Sequence, residues 1–127
     1  MEIANGQATN MSGSGDNRKE LWIWAKRQAI GKMDLSFGAR ECWRILEGFP
    51  TGKCYPTHWW IAENLNKSKS AVRRYLRELE QRGYIGIVER FNRLGQRSNT
   101  YTVLDQPDLI ARATQIFQDL EAKQKNG

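Results

Sequence analysis

Histidine, cysteine and proline are scarce in this chain of 127 residues, at one, two and three respectively. Two cysteines, Cys42 and Cys54, are too few to staple a small secreted scaffold, so a reducing compartment is expected. A structural zinc site usually takes four ligands in paired spacing, and Cys42, Cys54 and His58 fall short of that. The expectation is therefore buried free thiols and no metal. No Ser-His-Asp set, paired carboxylates or nucleotide motif appears, and Gly13 to Gly15 lacks the strand and helix of a phosphate loop. Neither catalysis nor a cofactor is expected. Long apolar runs are missing too: the longest, Leu21 to Ala25, is far below the ~20 residues that cross a bilayer. The start, MEIANGQATNMSGSGDN, lacks the basic-then-apolar order of a secretory signal, and a cytoplasmic location follows as the expectation.

What the chain does have is positive charge, and it is concentrated. Lysine and arginine number 20 against 14 acids, for a net charge of +6. Nine of the bases (Lys67, Lys69, Arg73, Arg74, Arg77, Arg82, Arg90, Arg93 and Arg97) lie in one stretch that holds only the acids Glu78, Glu80 and Glu89. That stretch carries the whole surplus; elsewhere the signs balance. Such asymmetry points to a polyanionic partner, nucleic acid before membrane, because no basic amphipathic surface helix stands alone here.

The length suits one domain. Residues 1–17, rich in Gly, Ser, Asn and Thr, cannot bury enough surface to offset their ordering entropy and read as a disordered tail. Order is expected from about Arg18, with a helix carrying Leu21, Trp22, Trp24, Ala25 and Ala29 and stopping before Gly31. A second helix runs from Ser36 or Gly38 to Leu46, with Ala39, Cys42, Trp43 and Leu46 as its apolar stripe. Thr57 caps a short helix over His58 to Leu65. Asn66-Lys67 forms a tight turn. Ser68 caps a further helix from Lys69 to about Arg82, whose inner face is Ala71, Val72, Tyr75, Leu76 and Leu79. Gly83 takes the left-handed position that closes it. Two strand candidates follow, Tyr84–Glu89 and Asn99–Leu104, joined by the basic loop Arg90 to Ser98. In the last helix Leu109, Ile110, Ala113, Ile116, Phe117 and Leu120 form an amphipathic stripe.

In this order of elements the chain resembles the winged helix-turn-helix family. The matching residues are Pro56-Thr57, Ile61-Ala62 and Leu65, then Ser68, Ala71-Val72, Tyr75-Leu76 and Leu79, then Arg82-Gly83-Tyr84-Ile85. The likeness covers about residues 36–104 and is nearest to compact modules of phage and plasmid replication or regulatory proteins. It implies a mainly α fold with a small antiparallel β-hairpin. The domain would cover residues 18–104 with its N-terminal helix, and residues 105–127 would form a C-terminal amphipathic helix. The family's turn commonly carries Gly and then an apolar residue. Here it is Asn66-Lys67, so the Lys67 stem must pack while its ammonium reaches water.

An α-helix fits the major groove, and its N-terminus offers unpaired N–H groups to phosphate. Ser68, Lys69, Ser70, Arg73, Arg74 and Arg77 are the candidates on the basic helix, with Arg73 first for base reading because Arg pairs bidentately with guanine. Arg74 and Arg77 fit phosphates equally well, and Arg74 also has Glu78 at i+4 as a competing partner. Arg90, Asn92, Arg93, Gln96 and Arg97 are the candidates on the wing. Thr57, His58 and Lys67 are candidates for the DNA backbone. Trp60 is expected against Cys42 and Trp43, while Trp59 has three options: the N-terminal segment, the DNA backbone, or a protein partner.

The expected function is sequence-specific binding of double-stranded DNA. The chain would be a transcriptional regulator or a replication-origin-binding factor of a phage, plasmid or bacterium. Leu109, Ile110, Ile116, Phe117 and Leu120 need cover, either from the chain's own N-terminal helix or from the same helix of a second copy, and a homodimer would read a pseudo-palindromic site. The alternative is a winged-helix protein-interaction module, with Trp59, Trp60 and the last helix as its surface and machinery of replication or transcription as its partner.

Overall fold

A computed structural model describes residues 14–50, 52–91, 93–95 and 97–126. In chain order its elements are α1 (Ser14–Ile30), α2 (Phe37–Glu47), α3 (His58–Leu65), α4 (Lys69–Gln81), β1 (Ile85–Phe91), β2 (Arg97–Val103) and α5 (Pro107–Asn126). The class is mainly α with one antiparallel hairpin, as expected. Contacts divide these elements into two units, a helical pair of α1 with α5 and the segment Asp34–Gln106.

In Asp34–Gln106 the expected caps Thr57 and Ser68 act as read, and Ser36, one of the two expected starts of the second helix, caps α2. The hydroxyls of Ser36, Thr57 and Ser68 accept the N–H of Ala39, Trp60 and Ala71 at 3.3, 3.0 and 3.1 Å, fixing where α2, α3 and α4 begin. The apolar stripes meet between them: Ala39, Cys42, Trp43 and Leu46 of α2, Ile61 and Ala62 of α3, and Ala71, Val72, Leu76 and Leu79 of α4 are all buried. Each large side chain among them stabilises the fold by roughly 1.5–3 kcal/mol relative to exposure, so tertiary packing rather than helix propensity sets how α4 lies. Gly38 of α2 lies against the Tyr75 ring of α4 so closely that a β-carbon would overlap it.

The turn between α3 and α4 explains the missing glycine. Asn66 adopts the left-handed conformation, φ 55°, and the Lys67 N–H donates to the Ala62 carbonyl at 3.0 Å. Asparagine is the residue that tolerates this region best after glycine. Gly83 closes α4 as expected, φ 83°, with the Tyr84 N–H donating to the Leu79 carbonyl at 2.9 Å.

The hairpin pairs Ile85 with Val103 through to Phe91 with Arg97. Both strands reach further toward the tip than the expected Tyr84–Glu89 and Asn99–Leu104. Arg90, Phe91, Arg97 and Ser98 are therefore strand residues, and the connection shortens to five positions. The ladder continues because Arg, Phe and Ser are compatible with exposed strand positions, whatever their charge. At the base, the Tyr101 N–H donates to the Cys54 carbonyl at 2.7 Å, tying β2 to the segment ahead of α3.

In the helical pair, α1 begins at Ser14, four residues before the expected start; residues 1–13 of the expected tail lie outside the described residues. Phe117 of α5 meets Trp22 of α1 edge to face, centroids 5.8 Å apart, and the Arg18 guanidinium sits 5.2 Å from the Phe117 centroid while pairing with Glu121. Of the two covers open to the α5 stripe, α1 of the same chain supplies the one over Phe117. Leu109 and Ala113 are buried, whereas Ile110, Ile116 and Leu120 are half-buried.

Candidate nucleic-acid interface

The outer side of α4 is built by its period. With Ala71, Val72, Leu76 and Leu79 turned inward, Lys69, Arg73 and Arg77 recur every four residues and form one exposed row. Ser70 and Arg74 are exposed beside it. Like charges at this spacing repel by roughly 0.2–0.5 kcal/mol per pair, so the row works against the helix that carries it. Among the described residues no acid lies within ion-pair distance of Lys69, Arg73 or Arg77.

Two acids of this region, Glu78 and Asp34, are committed elsewhere. Glu78, the expected competitor for Arg74, accepts both the N–H and the hydroxyl of Ser36 at 2.7 Å. Its carboxylate therefore clasps the start of α2 to α4. Arg82 donates to the Asp34 carbonyl at 3.0 Å and pairs with its carboxylate at 3.3 Å. Arg74 is left with the Tyr75 ring, 6.0 Å from its guanidinium carbon. Glu78 is thus drawn to the start of α2, and the row keeps its charge.

His58, the first residue of α3, joins this basic surface. Burial lowers its pKa first, and the charges of Arg73 and Lys69 lower it further, so the imidazole is neutral at pH 7. The charges that act on His58 of α3 are thus those of two members of the α4 row. Thr57 and Lys67 are exposed, and the Thr57 and Ser68 hydroxyls, each accepting from a helix N–H, keep their own O–H to donate.

On the hairpin, Arg93 is exposed in the turn and Arg90 is exposed on β1 opposite Ser98. Arg97 opens β2 opposite Phe91. Asn92 and Gln96 lie outside the described residues.

Trp60 packs edge to face on Phe49, centroids 5.5 Å apart, a partner the sequence did not suggest. Cys42 and Trp43, its expected partners, lie fully inside the core, and Trp60 is partly exposed. Trp59 is 60% exposed. Cys42 and Cys54 are buried free thiols. Burial, with the neighbouring Cys54, pushes Cys42 up to about 12, and burial pushes Cys54 up to about 11, so both stay protonated and unreactive at neutral pH. Among the described residues no group of three His, Cys, Asp or Glu is placed to hold a metal ion, and no helix is long and apolar enough to cross a membrane.

Comparison with known proteins places this arrangement. Residues 45–85, which run from the end of α2 to the start of β1, match the helix-turn-helix domain family. No curated protein matches the chain in sequence. Among solved structures, a Staphylococcus aureus MepR mutant bound to an oligodeoxyribonucleotide aligns with TM-score 0.53 at 18% identity, over 92% of this chain and 84% of that one. A Methanosarcina mazei protein described as a possible transcriptional regulator aligns with TM-score 0.51 at 10% identity, over 99% and 91%. The fold is a winged helix-turn-helix. At these identities it is the fold that is shared. Within it α3 and α4 are the two helices of the motif and β1–β2 is the wing. Thr57, His58, Lys67 and the α4 residues fall inside the matched segment, while Arg90, Arg93 and Arg97 lie beyond it.

Proposed function

We propose that the winged helix-turn-helix binds double-stranded DNA sequence-specifically, with α4 in the major groove, and that the chain serves as a transcriptional regulator or a replication-origin-binding factor of a bacterium, phage or plasmid. The row Lys69, Arg73 and Arg77, exposed and without acidic partners among the described residues, carries this reading. Duplex DNA compensates the self-repulsion of such a row and matches its straight course. Arg73 reads a base, with Lys69 and Ser70 beside it. Arg74, Arg77, Ser68, Thr57, His58 and Lys67 meet phosphates, and Arg90, Arg93 and Arg97, with Asn92 and Gln96, meet the neighbouring minor groove. A solved MepR mutant holds an oligodeoxyribonucleotide, which supports DNA as the partner of this fold. The location proposed is cytoplasmic.

Selection of duplexes from a random pool tests sequence specificity, and affinity against salt tests the electrostatics. With about six phosphates neutralised, log K falls against log salt with a slope near −5, and a slope near zero overturns the reading. An enriched palindrome would support a homodimer. Trp24, 47% exposed, lines an open groove on α1–α5 with Leu21 and Leu120, which supports that assembly. The competing protein-interaction reading rests on exposed Trp59. It requires Trp59→Ala to abolish activity and Arg73→Ala to spare it, the reverse of the result expected here.

A further inference from the structure

The apolar side chains of β1 and the turn are increasingly exposed toward the tip. Ile85 and Tyr101, paired with Val103 and Ile87 in the base half of the ladder, are buried, whereas Val88 is 56% exposed, Phe91 66% and Leu94 82%. Strand alternation puts Ile85, Ile87, Glu89 and Phe91 on one face, so Phe91 continues the core-facing side beyond the point where the core covers it. Leu94 follows Arg93 in the turn, and Gly95, with φ 77°, has open space where a side chain would stand. The tip is a narrow projection with apolar side chains at its end and exposed Arg90 and Arg93 beside them.

Solvated arginines explain a charged wing. They do not explain a leucine and a phenylalanine left in water next to them, since apolar surface is stabilised by burial. We infer that the tip enters the minor groove and drives Leu94 between adjacent base pairs, with Phe91 against the sugar edge behind it, so that the wing bends the duplex. The arginines supply the attraction that brings an apolar tip to a polyanion, because the narrow minor groove concentrates negative potential. The apolar groups then do what wedge residues do, replacing base–base stacking with side-chain contact and kinking the helix toward the major groove. Flexible pyrimidine–purine steps, TA above all, are the cheapest to open. The tip therefore selects deformable steps without reading a base edge.

This inference rests on the DNA-binding reading, and one experiment separates the two. The probe is a short duplex of alternating A and T, labelled at its ends for energy transfer and carrying the fluorescent adenine analogue aminopurine at one TA step. Wild-type protein should bind it in a salt-dependent way, raise the analogue's emission several-fold and shorten the end-to-end distance. Leu94→Ser, a change at an exposed turn that leaves the core untouched, should still bind but lose both signals. Arg93→Ala should bind more weakly yet retain the emission rise per protein bound. Binding without the rise, or a rise that survives Leu94→Ser, overturns the wedge while sparing the DNA reading. Absence of salt-dependent binding by the wild type overturns both.

Discussion

The two sides of α4 follow opposite rules. On the inner side every group has a counterpart: Tyr75 against Gly38, Glu78 on Ser36, and Val72, Leu76 and Leu79 in the core. On the outer side Lys69, Arg73 and Arg77 have no acidic counterpart among the described residues. Folding accounts for the first side completely and for the second not at all. The same chain pairs arginine when stability is at stake, as Arg18 does with Glu121 and Arg82 with Asp34. A row kept bare despite its repulsion is best explained by a partner that arrives later.

The strongest way to break this contrast is to remove the row. Replacing Lys69, Arg73 and Arg77 together by alanine should weaken DNA binding roughly a hundredfold and flatten the salt slope by about 3, measured by fluorescence anisotropy across salt. Thermal melting should show stability held or slightly raised, because two like-charge pairs disappear. A loss of stability would mean the row serves the fold after all. Gly38→Ala tests the other side: overlap with the Tyr75 ring should cost about 1–3 kcal/mol in urea unfolding, with DNA affinity per folded molecule little changed.

His58 stands at the border and gives the smallest effect. Its pKa is lowered by burial and then by Arg73 and Lys69, so below the ordinary value of 6.5 the unfolded chain binds the proton more readily than the folded one. Stability should therefore be greatest above pH 6.5 and decline as pH falls below it, and His58→Gln should remove that component of the pH profile. DNA binding should run the other way. Phosphates offset the charges of Arg73 and Lys69, favour the imidazolium and make affinity rise modestly as pH falls. An affinity profile identical in His58→Gln would place the imidazole away from the DNA backbone.

Much of this was legible in the sequence because it is local. Caps at Thr57 and Ser68, the glycine at 83 and the stripes of α2 and α4 act within one or two helical turns, and all appear as read. What was not legible depends on partners distant in sequence. Glu78 has Arg74 four residues away, yet it reaches across 42 positions to Ser36 because folding brings the α2 N-terminus beside it. Trp60 also found Phe49, on the turn after α2. The strand ends were misplaced because arginine signals a loop by composition but costs little in an exposed ladder. For the DNA-contacting candidates, the charge count located the surface, while the exposed apolar tip at Phe91 and Leu94 carried no periodicity that would mark it.

One hydrogen bond near the hairpin's base bears on how this domain moves. Because the Tyr101 amide is held by the Cys54 carbonyl, the root of the wing is joined directly to the approach to α3. Swivelling the wing at that root would stretch this bond, so a load applied at the tip has a route to the start of α3, where His58 stands.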